Sequence, residues 1–495
     1  MPELVSTGPL AALMAWLRAL VGLDEEPRLV LPDRARADGL PDLEPTQGPP
    51  PTPRPPEHVR LCIDFGTSQS AVARAVSGAD PELAVLQADG AGQIAYTIDS
   101  DVAFAPGEPA ILGAVARILE ERRGGLEFHR SLKRVLSDVR RLADSHLLLR
   151  LRVEALVEEL LRLALAPETS GTVGAQARLL GRDPAEIAAP LGLPGKDRLR
   201  EVVGRGVLDL YLCVPNAFGN FEEEVLRAAA QAAGESLQLA LGAEVPHVVA
   251  HLVREADAVA WWELHRTALT ARSHAMTRAT WLVFDVGAGS TDAALVDVRV
   301  DDGQPAVRVL AHSGVAFGGT DVDELFLRVV AERAGLSIPH GLDARVKDRT
   351  STRALQVRAF ADAKIDWARE HGAAAARGGA DALARWIAWA GAPEGPAPDA
   401  ALWPPFRPPA DDWPVREVGA AAWGPAYARF LRASVSGVVR ALRRGAPDAT
   451  VDRVIVSGRG TLLPGVHALL LHELRAAGWA VDAVKPIGGG DDPVA

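Results

Sequence analysis

Cysteine is scarce. The chain has two in 495 residues, Cys62 and Cys213. Each lies in an apolar, strand-like run, "VRLCIDFG" and "LYLCVPN", which predicts buried, inert thiols rather than a disulfide or metal site. An iron–sulfur cluster needs more thiolates than this and is excluded. Long apolar runs are missing too, so no bilayer-spanning segment is expected. The opening segment "MPELVSTGPLAALMAWLRALVGL" is mildly apolar but lacks a basic start, carries Glu3 and is interrupted by Arg18. It reads as a short amphipathic helix rather than a signal peptide, and a cytoplasmic protein is the default. Positive charge is in deficit, with 53 Lys and Arg against 64 Asp and Glu and a net charge of −11. That balance argues against a general polyanion binder, so no nucleic-acid partner is expected. There is also no G-x-x-x-x-G-K-[ST], which excludes a P-loop.

What is present is a globular composition, 48% hydrophobic and 24% charged. A chain this long exceeds one hydrophobic core, so two or more domains are expected. Residues 24–57 are polar and proline-rich, ending "PTQGPPPTPRPPEH", and read as a linker. The folded part is expected from about His58. Strand-like and helix-like segments then alternate. "VRLCIDFG" and "AVARAV" read as a strand pair around a tight turn, and residues 152–165 as a helix. Residues 166–200, rich in Gly, Pro and Ala, read as an irregular connection. "VLDLYLCVP" is a strand stopped by Pro215. Residues 220–234 are a helix capped by Asn220 and ended by Gly234. Further helices are expected over 321–335, 354–370 and 426–445, and strands at 281–285 and 451–457. Residues 371–425 are irregular and carry Trp386, Trp389, Trp403, Trp413 and Trp423.

Two stretches carry the chemistry: "LCIDFGTSQSAVARA" (61–75) and "VFDVGAGSTDAALVDV" (283–298). In each, an apolar strand ends on an acid, Asp64 or Asp285. A glycine turn follows, then hydroxyl residues. Glycine lets backbone N–H groups approach a ligand, and successive N–H groups form an anion nest. Thr67, Ser68, Ser290 and Thr291 add donors. An acid at the strand end suits hydrated Mg²⁺, which takes few carboxylates and keeps waters. Each stretch is thus half of a phosphate-and-metal clamp. After Gly287 and Gly289 comes a second strand, whereas a dinucleotide fingerprint would lead into a helix. The bland alternative for one turn alone is a glycine hairpin with a solvent-facing aspartate.

With these residues in view, the chain resembles the actin and heat-shock-protein-70 (DnaK-type) ATPase superfamily. "IDFGTSQSAVA" is similar to its first phosphate motif and "VFDVGAGSTDAALVDV" to its second. "SLKRVL" resembles the short helix carrying a catalytic lysine, here Lys133. "LCVPNAFGNFEEEVLRAAAQAAG" resembles a strand–Val-Pro–helix element, and "READAVAWW" a hinge segment that matches Glu255. "GVAFGGTDVDELF" resembles a glycine loop containing Gly318 and Gly319. "ADAKIDWA" resembles the adenosine-contacting helix, with Lys364 in register, and "VDRVIVSGRGTLLPGVHALL" the adenosine motif, with Gly458 and Gly460. The matches keep family order from about residue 58 to 475.

The resemblance implies an α/β fold of two lobes, duplicated ribonuclease-H-like domains with nucleotide in the cleft. Lobe I would span 58–265 and lobe II 266–495, with 1–57 an arm. It implies ATP/ADP and Mg²⁺ as ligands. Asp64 and Asp285 would hold the hydrated ion. Gly66, Thr67, Ser68, Gly287, Gly289 and Ser290 would cradle phosphates. Lys133 would stabilise the transferring phosphoryl group, and Glu255 with Thr67 or Asp292 would orient water. A protein partner or client is implied, because nucleotide state switches lobe closure in this superfamily. Three departures stand out. Glu223 occupies the position of the family's relay arginine, the adenosine loop is one residue longer, and no peptide-binding β-domain follows. A small-molecule kinase or reactivating factor of the same superfamily, or a scaffold that no longer hydrolyses, are the alternatives.

Overall fold

The computed structural model describes residues 57–76, 81–89, 93–123, 126–129, 131–139, 146–270, 278–301, 304–335, 361–368, 379–391, 405–408, 415–481 and 485–486. The expected N-terminal helix and proline-rich linker lie outside the described residues. So do Trp403, Trp413 and residues 354–360 of one expected helix. Among the described residues, no helix is long and apolar enough to cross a membrane.

The fold is mixed α/β, built on two main sheets. The first centres on β1 (His58–Asp64), which pairs antiparallel with β2 (Gln69–Arg74). The short strand Glu82–Leu83 continues that meander. On the other side of β1 lie β3 (Val207–Val214) and then β4 (Val248–Arg254), both parallel. The second sheet centres on β5 (Arg278–Val286). It pairs antiparallel with β6 (Thr291–Asp301), which pairs antiparallel with β7 (Gln304–Val315). On the other side of β5, β8 (Arg453–Ser457) and β9 (Lys485–Pro486) add in parallel. The two sheets therefore share one strand order and one pattern of directions. In both, the central strand is the first of its meander and carries the acid of an acid–glycine turn.

Helices cover these sheets by burying aliphatic faces. On the first, α1 (Leu132–Val139), α2 (His146–Leu165) and α3 (Asn220–Ala240) pack Leu136, Leu160 and Leu226 against Leu61, Ile63 and Leu210. Each such side chain contributes about 1.5–3 kcal/mol on burial. α4 (Glu255–Thr270) lies between the sheets. Ala256, Val259, Ala260 and Leu264 pack on Trp281, Val283 and Val296 of the second sheet, while Ala258 and Trp261 pack on Cys62 and Cys213 of the first. The expected boundary at 265/266 falls inside this helix. Both cysteines are free and buried, as their apolar runs predict.

On the second sheet, α5 (Gly319–Arg333), α6 (361–368), α7 (Gly379–Gly391) and α8 (Ala420–Leu431) enclose an aromatic core. Phe326, Trp367, Trp386, Trp423 and Tyr427 meet there. Trp386 and Trp423 are fully buried, so these tryptophans of the 371–425 stretch fill the core. A π-helical segment, Arg432–Gly437, joins α8 to α9 (Val438–Gly445), where one continuous α-helix was expected. α10 (Val466–Ala476) precedes β9.

Three expectations are corrected. The 371–425 stretch, expected to be irregular, holds α7 and the start of α8. Residues 166–200 are largely helical, with helices Gly171–Leu180, Pro184–Ala188 and Lys196–Arg205. Their Gly and Pro punctuate rather than unravel: Ser170 caps the first by accepting from Val173 N, Gly181 ends it in the left-handed region, and Pro184 opens the second. α3 is capped by Gly219 rather than Asn220 and does not stop at Gly234. A Cβ there would meet Val248 Cγ1 at 2.7 Å and Leu210 Cδ1 at 2.9 Å, so the glycine allows close helix–sheet approach.

Candidate functional site

β1 ends at Asp64 and Phe65 turns into the core. The following turn is pinned from one side, since Ser100 Oγ donates to Gly66 O at 2.7 Å and Ser100 N to Ser68 O at 2.9 Å. Ser68 itself is exposed. β5 carries Asp285 one residue before its end, and the second turn closes with Gly287 N donating to Ser290 O at 2.9 Å. The two turns meet. A Cβ on Gly289 would fall 2.5 Å from Thr67 Oγ1, so the turns approach at a distance only glycine permits. Some two hundred residues of sequence thus separate neighbours in space.

The surrounding loops press on the second turn. Gly318 N donates to Asp321 Oδ2 at 2.7 Å, capping α5. Gly319 N donates to Gly287 O at 3.0 Å and Thr320 N to Ala288 O at 2.8 Å. Gly458, at φ +81°, lies over Asp285: a Cβ there would sit 2.6 Å from its Oδ1. Gly460 packs against Val286. Ser457, which the sequence reading did not single out, is in register beside Asp285.

Lys133 reaches this place from α1. It is 3% exposed, so it is no surface lysine, and it ion-pairs with Glu255 at the first residue of α4. Burial works against its charge, but Glu255 and Asp64 outweigh that and hold its pKa above the ordinary lysine range. Asp64, Asp285 and Asp292 are all buried. Burial, with Glu255 and Asp285 as acidic neighbours and Lys133 opposing, pushes Asp64 up to about 7. Burial and Glu255 push Asp285 up to about 7 as well. Burial, Glu255 and Asp285 push Asp292 up to about 8. Among the described residues, one ammonium therefore faces four carboxyl groups.

The acids fit a hydrated divalent cation. Asp285 Oδ1 and Asp292 Oδ2 are buried with no hydrogen-bond partner among the described residues. Among those residues, no three His, Cys, Asp or Glu side chains are arranged to hold an ion directly. An ion that keeps its waters and meets carboxylates through them suits Asp285 and Asp292, with the buried Asp64 close enough to Asp285 to feel its charge.

Asp292 also bridges the two sheets. Its Oδ1 accepts from Ala217 N at 3.2 Å, and Asn216 Nδ2 donates to Ala293 O at 2.9 Å. The backbone partner of Asp292 thus belongs to the other half of the chain. An arginine does reach this segment, though not from the position of Glu223. Arg254, at the end of β4, donates to Pro215 O at 2.9 Å and pairs with Glu223. Neither Asn216 nor Arg254 was foreseen. "CVPNAF" gave a weak signal for the first, and the parallel β3–β4 register alone places the second.

Lys364 lies in α6, buried, with Nζ 2.7 Å from Asp323 Oδ1 and 2.7 Å from Gly319 O. The predicted site residues thus gather on one network, with Lys364 joined to it through Gly319 and Ser68 on its rim. A separate cavity of about 440 Å³, floored by Leu86, Ile98, Leu163 and Val173, shares none of them. Comparison with protein-family models and with curated protein sequences finds no match for this chain.

Proposed function

We propose that the chain is a Mg²⁺-dependent ATP-binding and ATP-hydrolysing protein of the actin/heat-shock-protein-70 type. In this reading the two sheets are the cores of duplicated ribonuclease-H-like lobes, and nucleotide state sets their closure toward a partner protein. One observation carries it. Two sheets of the same strand order carry buried aspartates, Asp64 and Asp285, at or next to the ends of their central strands, and both acids lie in the field of the Lys133–Glu255 pair.

The roles follow from the chemistry of the residues. Asp64 and Asp285 would hold hydrated Mg²⁺, which supplies charge neutralisation for the phosphates. Backbone amides of the Gly66–Ser68 and Gly287–Ser290 turns, with the Thr67 and Ser290 hydroxyls, would cradle the phosphate oxygens. Lys133 would stabilise charge growing on the transferred phosphoryl group. Glu255, held in place by Lys133, would accept a hydrogen bond from the attacking water and orient it, with Thr67 or Asp292 as second partner. Gly458 and Gly460 would let the adenosine loop lie close against the end of β5. Phosphoryl transfer needs positioning and electrostatics more than covalent chemistry, so this set suffices.

Single-turnover hydrolysis with and without candidate sugars tests the activity. Release of inorganic phosphate supports an ATPase, whereas a phosphorylated sugar would replace it by a kinase. Tight ATP binding with no turnover would leave a nucleotide-binding scaffold.

A further inference from the structure

The geometry points to Lys364 as a positioning residue that holds the phosphate-facing turn in shape, rather than as a contact to adenosine. This inference rests on the nucleotide reading above.

The Lys364 ammonium is engaged within the protein. It donates to Gly319 O at 2.7 Å and pairs at 2.7 Å with Asp323, whose side chain is 1% exposed. A buried amine anchored this way can swing toward a sugar or base only by giving up both its ion pair with Asp323 and its bond to Gly319 O. What it holds is the amino end of α5. The Gly319–Thr320 peptide, whose carbonyl accepts from Lys364, donates its N–H to Ala288 O at 2.8 Å, and the Gly319 N–H before it donates to Gly287 O at 3.0 Å. The Thr320 side chain continues the grip, with Oγ1 donating to Ala288 O at 2.7 Å. Both carbonyls at the head of the second turn are thereby drawn to α5. In a trans peptide the N–H lies opposite the carbonyl, so holding these carbonyls on α5 leaves the amides of the same peptides facing away from it, as an anion nest requires. Lys364 therefore acts on phosphate recognition through two peptide groups. In this geometry it sets how the nest faces and makes no contact with the nucleoside.

The two roles separate by ligand. Isothermal titration of wild type, Lys364→Met and Lys364→Arg is run with MgATP and with inorganic tripolyphosphate plus Mg²⁺. Positioning predicts that Lys364→Met weakens both ligands by the same factor, about tenfold or more, and that Lys364→Arg recovers part of both. Loss of ATP affinity with tripolyphosphate unchanged would overturn the proposal in favour of an adenosine contact. So would equal wild-type affinity for both ligands in the Met variant. Asp323→Asn, which keeps the lysine and loosens its anchor, provides a second test if Lys364→Met does not fold. It is expected to weaken both ligands in parallel by a smaller factor, and selective loss of ATP there counts against the proposal equally. A wild-type protein that binds neither ligand overturns the nucleotide reading itself, and this role with it.

Discussion

Asp64, Asp285 and Asp292 share a consequence for stability. Each is pushed above the ordinary carboxylate range, to about 7, 7 and 8. The folded protein therefore binds protons that the unfolded chain, titrating near 4, has already shed. The stability from these groups is fully present below the unfolded value and is lost as pH rises through about 7 to 8. In metal-free buffer, thermal unfolding followed from pH 6 to 8.5 is expected to show Tm falling by several degrees or more. Asp292→Asn should flatten that slope. A Tm that rises over this range contradicts the electrostatics described. Lys133 makes a second prediction at this scale. It is the charged donor placed among the acids, so Lys133→Ala should slow single-turnover hydrolysis by about 10²–10³ while leaving ATP binding within about tenfold. Unchanged turnover would remove its catalytic role and leave the rest standing.

Elements explain why part of this fold was readable and part was not. The acid–glycine hairpins were legible because strand, turn and second strand are contiguous, and their chemistry is written in adjacent residues. Lys133 was legible only by resemblance. Its burial depends on α1 bringing it against Glu255 at the start of α4, which no local pattern announces. Arg254 was missed for a similar reason, since it faces Glu223 and Pro215 only through the parallel β3–β4 register. Residues 166–200 were misread because their glycines and prolines cap short helices, and composition alone does not separate a cap from a loop. Gly234 was misread as a stop when it marks a close packing contact. That contact gives a direct prediction. Gly234→Val introduces branched bulk where even a Cβ meets Val248 at 2.7 Å, and overpacking of this kind costs about 1–3 kcal/mol. Urea denaturation should show a lower midpoint at unchanged slope, and a midpoint equal to wild type would show that α3 and the sheet separate freely.

At the scale of the whole molecule, the proposed function needs two halves that meet at one place. α4 packs on both sheets, Ala217 bonds Asp292 across them, and the two glycine turns touch at Thr67 and Gly289. In the proposed reading each half offers an acid and a glycine turn to the phosphates, and neither half is a site alone. That is why the claim is tested best by a ligand that must engage both. Isothermal calorimetry of ATP against the full chain, with and without Mg²⁺, is the measurement. The account predicts saturable binding of one nucleotide that strengthens with Mg²⁺. It also predicts that the Mg²⁺-dependent part falls by about tenfold or more in Asp64→Asn and in Asp285→Asn separately. A wild-type protein that binds no nucleotide with Mg²⁺ present would contradict it.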